Sequence, residues 1–328
     1  MNKLVIVGNG FDLAHALPTS YKDFINDFWC SLKNNLQKEE TNNFIDFNST
    51  YLNNMSLFEV KSYADFKSIL KDYCTSSGYD YNEKRVYCRN KPHNGFSVVF
   101  QFKNSFFKEI NEQNTITNWV DIENIYYQEL TDLVKKNVES KFIEKLNVEF
   151  EQVKNLFENY LETNIVQEFD FSCQSENLND LLKFFIVEPL YLEREKSRSK
   201  YLKEFPFEDH SELIELDEKI IEAYRKNQLA SFVYSNDFPE NVFLNFNYTP
   251  TIDCYLKKLN NRDVFNCVNN SREIQIHGAV NCKENEMNFG FGDEMDNNYT
   301  LIEELNNNIY LKNFKSFKSC KIQIIRTY

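Results

Sequence analysis

Two side chains able to do chemistry stand out by position. Asn247 closes the apolar run Val242-Phe243-Leu244-Asn245-Phe246-Asn247, and His277 closes Glu273-Ile274-Gln275-Ile276-His277. An imidazole has the intrinsic pKa of a general base near neutrality. A third run, Leu4-Val5-Ile6-Val7, leads into Gly8-Asn9-Gly10-Phe11-Asp12, with His15 five residues after the second glycine. Gly-x-Gly at a strand end is a tight turn that lets a phosphate approach the backbone, although the dinucleotide fingerprint has a third glycine where this chain has Leu13. Asp12 is placed either to orient a ribose hydroxyl or a water, or to stabilise the turn. His15 is placed to contact a phosphate or ribose, or to tie down its loop. For Asn247 the alternative is a side chain that caps the following helix or stabilises a turn, and for His277 a hydrogen-bonded structural role.

These residues need a scaffold that brings distant segments together. The four aliphatic residues 4–7 read as a strand buried on both faces. Val242 to Asn247 reads as a second strand, Thr251 to Leu259 as a helix, Glu273 to His277 as a third strand, Asn288 to Gly292 as a turn or strand end, and Cys320 to Ile325 as a last strand. Strands alternating with helices argue for a parallel sheet with right-handed crossovers, and ligands of such sheets bind outside the carboxyl ends of the strands. Asn9, Asp12, Asn245, Asn247 and His277 all fall there. The expected fold class is therefore α/β, a Rossmann-like parallel sheet carrying a large, mainly helical insertion. Residues 1–36 and 239–328 form the nucleotide-binding core on this reading, and residues 37–238 the insertion.

Within the first segment, Ser20 and Asp23 have capping-box spacing, so a helix starts near Tyr21. Residues 36–93 suit short helices joined by polar loops. From Trp119 to about Val166 the pattern is helical, with Phe142, Leu146, Phe150, Val153, Phe157, Tyr160 and Ile165 forming one apolar stripe that packs on a core. The mixed charges of Glu193 to Lys200 read as a solvated helix face.

Composition narrows the function classes. With 328 residues, 42% of them hydrophobic, the chain can bury a large core. No apolar run approaches the roughly 20 residues of a membrane helix, and no secretory leader pattern opens the chain, so the expectation is a cytoplasmic protein with no membrane partner. A net charge of −13 argues against direct nucleic-acid binding. The eight cysteines include no Cys-x-x-Cys pair, so neither a metal centre nor a disulfide framework is expected, and the thiols read as reduced and mostly buried. Of only seven glycines, Gly8, Gly10, Gly278, Gly290 and Gly292 lie in the stretches already singled out, a distribution that suggests a ligand site shaped by backbone.

The segments Gly8-Asn9-Gly10-Phe11-Asp12-Leu13-Ala14-His15, Leu17-Pro18-Thr19-Ser20-Tyr21-Lys22-Asp23-Phe24, Trp119-Val120-Asp121-Ile122-Glu123, Asn245-Phe246-Asn247-Tyr248-Thr249, Ile276-His277-Gly278 and Phe289-Gly290-Phe291-Gly292-Asp293 resemble the bacterial abortive-infection family AbiH. That resemblance implies an anti-phage protein that halts growth of the infected cell or kills it, with a phage or host protein as a possible trigger. The order Gly-x-Gly, Asn-x-Asn-Tyr-Thr, Ile-His-Gly is also similar, more distantly, to sirtuin-like NAD-binding domains. This second resemblance implies NAD as ligand and its hydrolysis as the reaction, with Asn247 and His277 catalytic. It implies Gly8, Asn9, Gly10, Phe11, Asp12, His15, Asn245 and Thr249 as cofactor contacts. The paired cysteines of the sirtuin zinc module are absent, which argues against a peptide deacetylase. Both groups continue past the final strand into a Gly-x-Ser segment, whereas this chain stops at Ile325-Arg326-Thr327-Tyr328; the expectation is a shortened C-terminus, or a site completed by another chain in an oligomer. The alternatives are a non-catalytic nucleotide-sensing or interaction module of a defence system, or an inactive truncated member.

Overall fold

The computed structural model describes residues 3–48, 50–51, 55–84, 86–89, 98–117, 121–169, 182, 185, 202–203, 205–226, 240–261, 270–290 and 296–314. In chain order the strands are β1 (Lys3–Val7), β2 (Ile45–Phe47), β3 (Asp80–Asn82), β4 (Tyr87–Arg89), β5 (Val98–Phe102), β6 (Glu240–Asn245) and β7 (Asn270–Gln275). The helices are α1 (Asn9–Ala14), α2 (Tyr21–Cys30), α3 (Leu32–Asn35), α4 (Glu39–Phe44), α5 (Tyr63–Ser76), α6 (Ser105–Thr117), α7 (Ile122–Lys135), α8 (Ser140–Leu161), α9 (His210–Arg225), α10 (Thr251–Leu259), α11 (Asn297–Glu303) and α12 (Asn308–Leu311). No helix among the described residues is long and apolar enough to cross a membrane. The chain divides into two units, Met1–His15 with Glu168–Ala279, and Ala16–Gln167 with Val280–Tyr328.

The first unit is built on a parallel sheet of order β1-β6-β7, in which Val7 pairs with Asn245 and Asn245 with Gln275. One face of this sheet carries Val7 and Phe243, which bury against Ile252, Tyr255 and Leu259 of α10 and against Leu182. Each such side chain contributes about 1.5–3 kcal/mol on burial, so α10 is fixed to the sheet by its apolar face. The opposite face differs from expectation. Leu4 and Ile6 are 61% and 70% exposed, so β1 is not buried on both faces; among the described strands it pairs with β6 alone and is an edge. The expected last strand, Cys320 to Ile325, lies outside the described residues, as does the charge run Glu193 to Lys200.

The second unit packs around α8. Its stripe of Leu146, Phe150, Val153, Phe157, Tyr160 and, one turn beyond, Ile165 is buried as expected, whereas Phe142 is exposed at the helix start. The helical region is broken: α7 ends before Asn137, whose φ of 47° lies in the left-handed region, and α8 begins anew. The Ser20–Asp23 capping box opens α2, and Phe24 and Tyr21 then meet the Phe157 ring edge-on. That packing places α2 with the helical unit, whose segments are Ala16–Gln167 and Val280–Tyr328. This unit also holds an antiparallel sheet of order β2-β5-β4-β3, where only short helices and loops were expected. Trp29, fully buried, stacks on Phe66 at a ring separation of 4.6 Å and donates its indole N–H to Asn111.

The cysteines depart from expectation as well. Cys74 at the end of α5 and Cys88 on β4 are joined in a disulfide, their Cα atoms being 6.7 Å apart. Cys30 is a free thiol on the surface, and Cys282 one that is partly exposed.

Candidate functional site

All ten residues expected to be catalytic or to contact a cofactor belong to the first unit, at or just beyond the carboxyl edge of its parallel sheet. Parallel pairing continues past the strands: Phe246 donates its backbone N–H to the Val7 carbonyl at 2.9 Å, and Ile276 to that of Asn245 at 2.8 Å. The turns after β1, β6 and β7 therefore emerge side by side.

After β1, helix α1 begins at Asn9 with Gly8 in extended conformation. Neither Gly8 nor Gly10 has a left-handed φ, and a Cβ built on either would meet no atom within 4 Å. Internal packing and backbone strain thus require neither glycine, and both leave open space beside the chain. Asn9 and Gly10 are exposed.

Asp12 turns inward. It is 1% exposed, and its two carboxylate oxygens accept hydrogen bonds from the hydroxyls of Thr249, at 2.6 Å, and Thr251, at 2.8 Å. Burial raises its pKa, and the Thr249 and Thr251 hydroxyls pull it back in part. The side chain latches the β1–α1 turn to the β6–α10 turn. His15 forms a second latch. Its Nδ1 lies 2.7 Å from the Phe11 carbonyl and its Nε2 2.6 Å from the Tyr255 hydroxyl. A carbonyl only accepts, so Nδ1 carries the proton and, in the neutral ring, Nε2 accepts from Tyr255. Burial pushes the Tyr255 hydroxyl up to about 12. Phe11 packs its ring against both His15 and Tyr255.

After β6, Asn245 is fully buried and spends its side chain internally. Its Oδ1 accepts the Asn247 N–H at 2.9 Å, and its Nδ2 donates to Glu273 and Gln275. Asn247 does not cap α10, whose N-cap position is Pro250. Its side chain is 5% exposed, lies close enough to Asp12 to favour that carboxylate's charge, and leaves Nδ2 without a hydrogen bond of regular geometry.

After β7, His277 is partly exposed. Its ring meets Phe246 edge-on at 5.1 Å and Tyr248 at 6.3 Å, the two neighbours of Asn247 in sequence. Gly278 follows with φ +75°, a conformation that favours glycine and turns the chain away from the sheet. Asn247 and His277 are therefore brought onto adjoining turns. Asp12, His15, Asn245 and Thr249 hold those turns, and Gly8, Asn9 and Gly10 border open space. Sequence reasoning missed Thr251, Tyr255, Glu273 and Gln275 as members of this network. A same-face signal was available for two of them, since Asn245, Glu273 and Gln275 project from one side of neighbouring strands.

Gly290 is not part of this site. It lies in the second unit, where a Cβ would come within 2.2 Å of the Asn313 carbonyl oxygen. Glycine is required there by close packing. Gly292 lies outside the described residues.

The model of the bacteriophage abortive infection AbiH family matches residues 4–326. The chain belongs to the AbiH family. Its segments quoted above, from the Gly8–Gly10 turn to Ile276-His277-Gly278, thus fall within the matched span of an anti-phage abortive-infection protein. No curated protein and no solved structure matches the chain.

Proposed function

We propose that this AbiH protein binds NAD at the strand-end site and hydrolyses its nicotinamide–ribose bond, acting in abortive infection by depleting the dinucleotide. The observation that carries the reading is the Asn247 side chain: a buried amide donor without a regular partner, at the carboxyl edge of a parallel sheet and beside the turn that bears His277. The Nδ2 donor is close to the buried Asp12 carboxylate without regular hydrogen-bond geometry, and a ligand hydroxyl or a held water would complete its bonding. The open backbone at Gly8 and Gly10 supports phosphate approach beside it.

In the reaction the C1′–N bond breaks, nicotinamide leaves with the bonding pair, water oxygen bonds to C1′, and the water gives up one proton. Asn247 holds the ribose or the water, and His277 takes the proton. Little acid chemistry is needed, because the leaving group departs as a neutral molecule; positioning supplies most of the rate. An activity that consumes NAD must be silent in uninfected cells, so the reading includes a trigger, a phage or host protein, that switches it on.

The test is nicotinamide release from NAD by the purified chain, with Asn247→Ala and His277→Ala beside it. Release abolished in both folded variants supports the reading. Undiminished release in either removes that residue from the reaction.

A further inference from the structure

We propose that Gln275 is the positioning residue of the strand-end site, the side chain that fixes Asn247 and His277 relative to each other; this rests on the reading of those two residues as the reacting pair. Gln275 ends β7 in register with Asn245 at the end of β6. Its Nε2 donates to the carbonyl of Asn247 and, at 2.8 Å, to the carbonyl of Gly278, while its Oε1 accepts from Asn245 Nδ2 at 3.1 Å. Both N–H groups of one carboxamide thus reach backbone oxygens on two different turns, and its oxygen reaches the strand between them. Backbone pairing between the β6 and β7 segments reaches as far as Ile276, whose N–H donates to the Asn245 carbonyl at 2.8 Å; the carbonyls of Asn247 and Gly278 lie beyond it.

The Gln275 carboxamide extends that pairing to the two turns. It closes a loop of contacts that contains both functional residues, since His277 lies between Gln275 and Gly278 and its ring packs on Phe246 and Tyr248, on either side of Asn247. The geometry also restricts the residue type. Glutamate has no N–H to donate and would set a carboxylate against two carbonyl oxygens, leucine removes every polar contact, and asparagine is one methylene shorter. Asn245 extends the device by accepting the Asn247 N–H and donating to Glu273, so both the carbonyl and the amide of Asn247 are held from below.

The experiment uses the full chain, with Gln275→Glu and Gln275→Leu. Its readouts are nicotinamide release from NAD across pH, and the imidazole signals of His277 followed by NMR without ligand. The expected result is that both variants fold, that kcat falls roughly ten- to a hundredfold with KM changed less than about threefold, as for a misplaced reacting group, and that Gln275→Leu moves the His277 signals and their titration midpoint. Unchanged kcat, pH profile and His277 signals in folded variants would overturn the proposal. Should both substitutions unfold the chain, the parent decides: its Gln275 carboxamide protons are expected to exchange slowly with solvent, and exchange as fast as an exposed amide would overturn it. Should the parent release no nicotinamide even with lysate from phage-infected cells supplying a trigger, the NAD reading falls, while the His277 signals still judge the role of Gln275.

Discussion

Replacing Glu129 with glutamine is expected to stabilise the helical unit at neutral and alkaline pH and to leave it unchanged in acid. Glu129 lies on α7, partly buried, and its carboxyl is pushed up to about 7, first by burial and then by the negative charges of Glu109 on α6, Glu149 on α8 and Asp132 one turn along α7, with Lys145 opposing them. In the unfolded chain the group titrates near its ordinary value of 4.5. Between these two values the unfolded chain has released a proton that the folded chain keeps, so stability falls as pH rises through that window and levels off above about 7. At about 1.4 kcal/mol for each factor of ten in the proton equilibrium, the full difference is roughly 3 kcal/mol; solvent reaching a partly exposed group reduces this to roughly 1–2 kcal/mol. Glutamine keeps the shape without the charge. Urea unfolding of parent and Glu129→Gln at about pH 4 and about pH 8 reads the difference directly. Equal stability in acid and a gain of roughly 1–2 kcal/mol at the higher pH is the expected pair of results. A variant no more stable than the parent at about pH 8 would refute the assignment of an electrostatic penalty to this site.

Four further outcomes are expected. Asp12→Ala removes the acceptor of the Thr249 and Thr251 hydroxyls, which remain 2.9 Å from each other, and should cost about 1–3 kcal/mol in urea unfolding. Gly290→Ala drives a methyl group onto the Asn313 carbonyl and should cost at least roughly 1–3 kcal/mol. Gly8→Ala meets nothing within 4 Å; it should leave the melting temperature nearly unchanged but weaken NAD binding measured by calorimetry, and undiminished binding would exclude close approach of ligand there. Reduction of the Cys74–Cys88 disulfide, which spans 14 residues, should lower stability by roughly 3 kcal/mol, and a Cys74→Ala, Cys88→Ala chain should lose that part of the response to reductant.

The parts of the fold written into hydrophobic period were legible in the sequence. The α8 stripe, the Ser20–Asp23 box, α10 at Thr251–Leu259 and the two later parallel strands follow from residues whose spacing has one good structural solution. The short antiparallel strands were not legible, because three residues such as Ile45–Phe47 or Asp80–Asn82 carry too little alternation to distinguish a strand from a loop. The open face of β1 was hidden for a related reason: a run of four aliphatic residues specifies a strand but not how many of its faces are covered. At the site, sequence position brought Asn247 and His277 to neighbouring turns. It did not reveal which polar residues face outward, since Asp12, His15 and Asn245 have the composition of ligand contacts but spend their atoms on Thr249, Thr251, Tyr255, Glu273 and Gln275. Glycine misled at Gly290, where the missing side chain makes room for Asn313 and not for a ligand. The disulfide was equally out of reach, because Cys74 and Cys88 share no motif and meet only when β4 folds against the end of α5.

The most direct test of the central claim is calorimetric titration of NAD into the purified chain, with nicotinamide followed chromatographically in the same samples and Asn247→Ala and His277→Ala as comparisons. Saturable binding by the parent, with nicotinamide release that both substitutions abolish in folded protein, is the expected result. A parent chain that binds no NAD and releases no nicotinamide, even with lysate from phage-infected cells supplying a trigger, would contradict it.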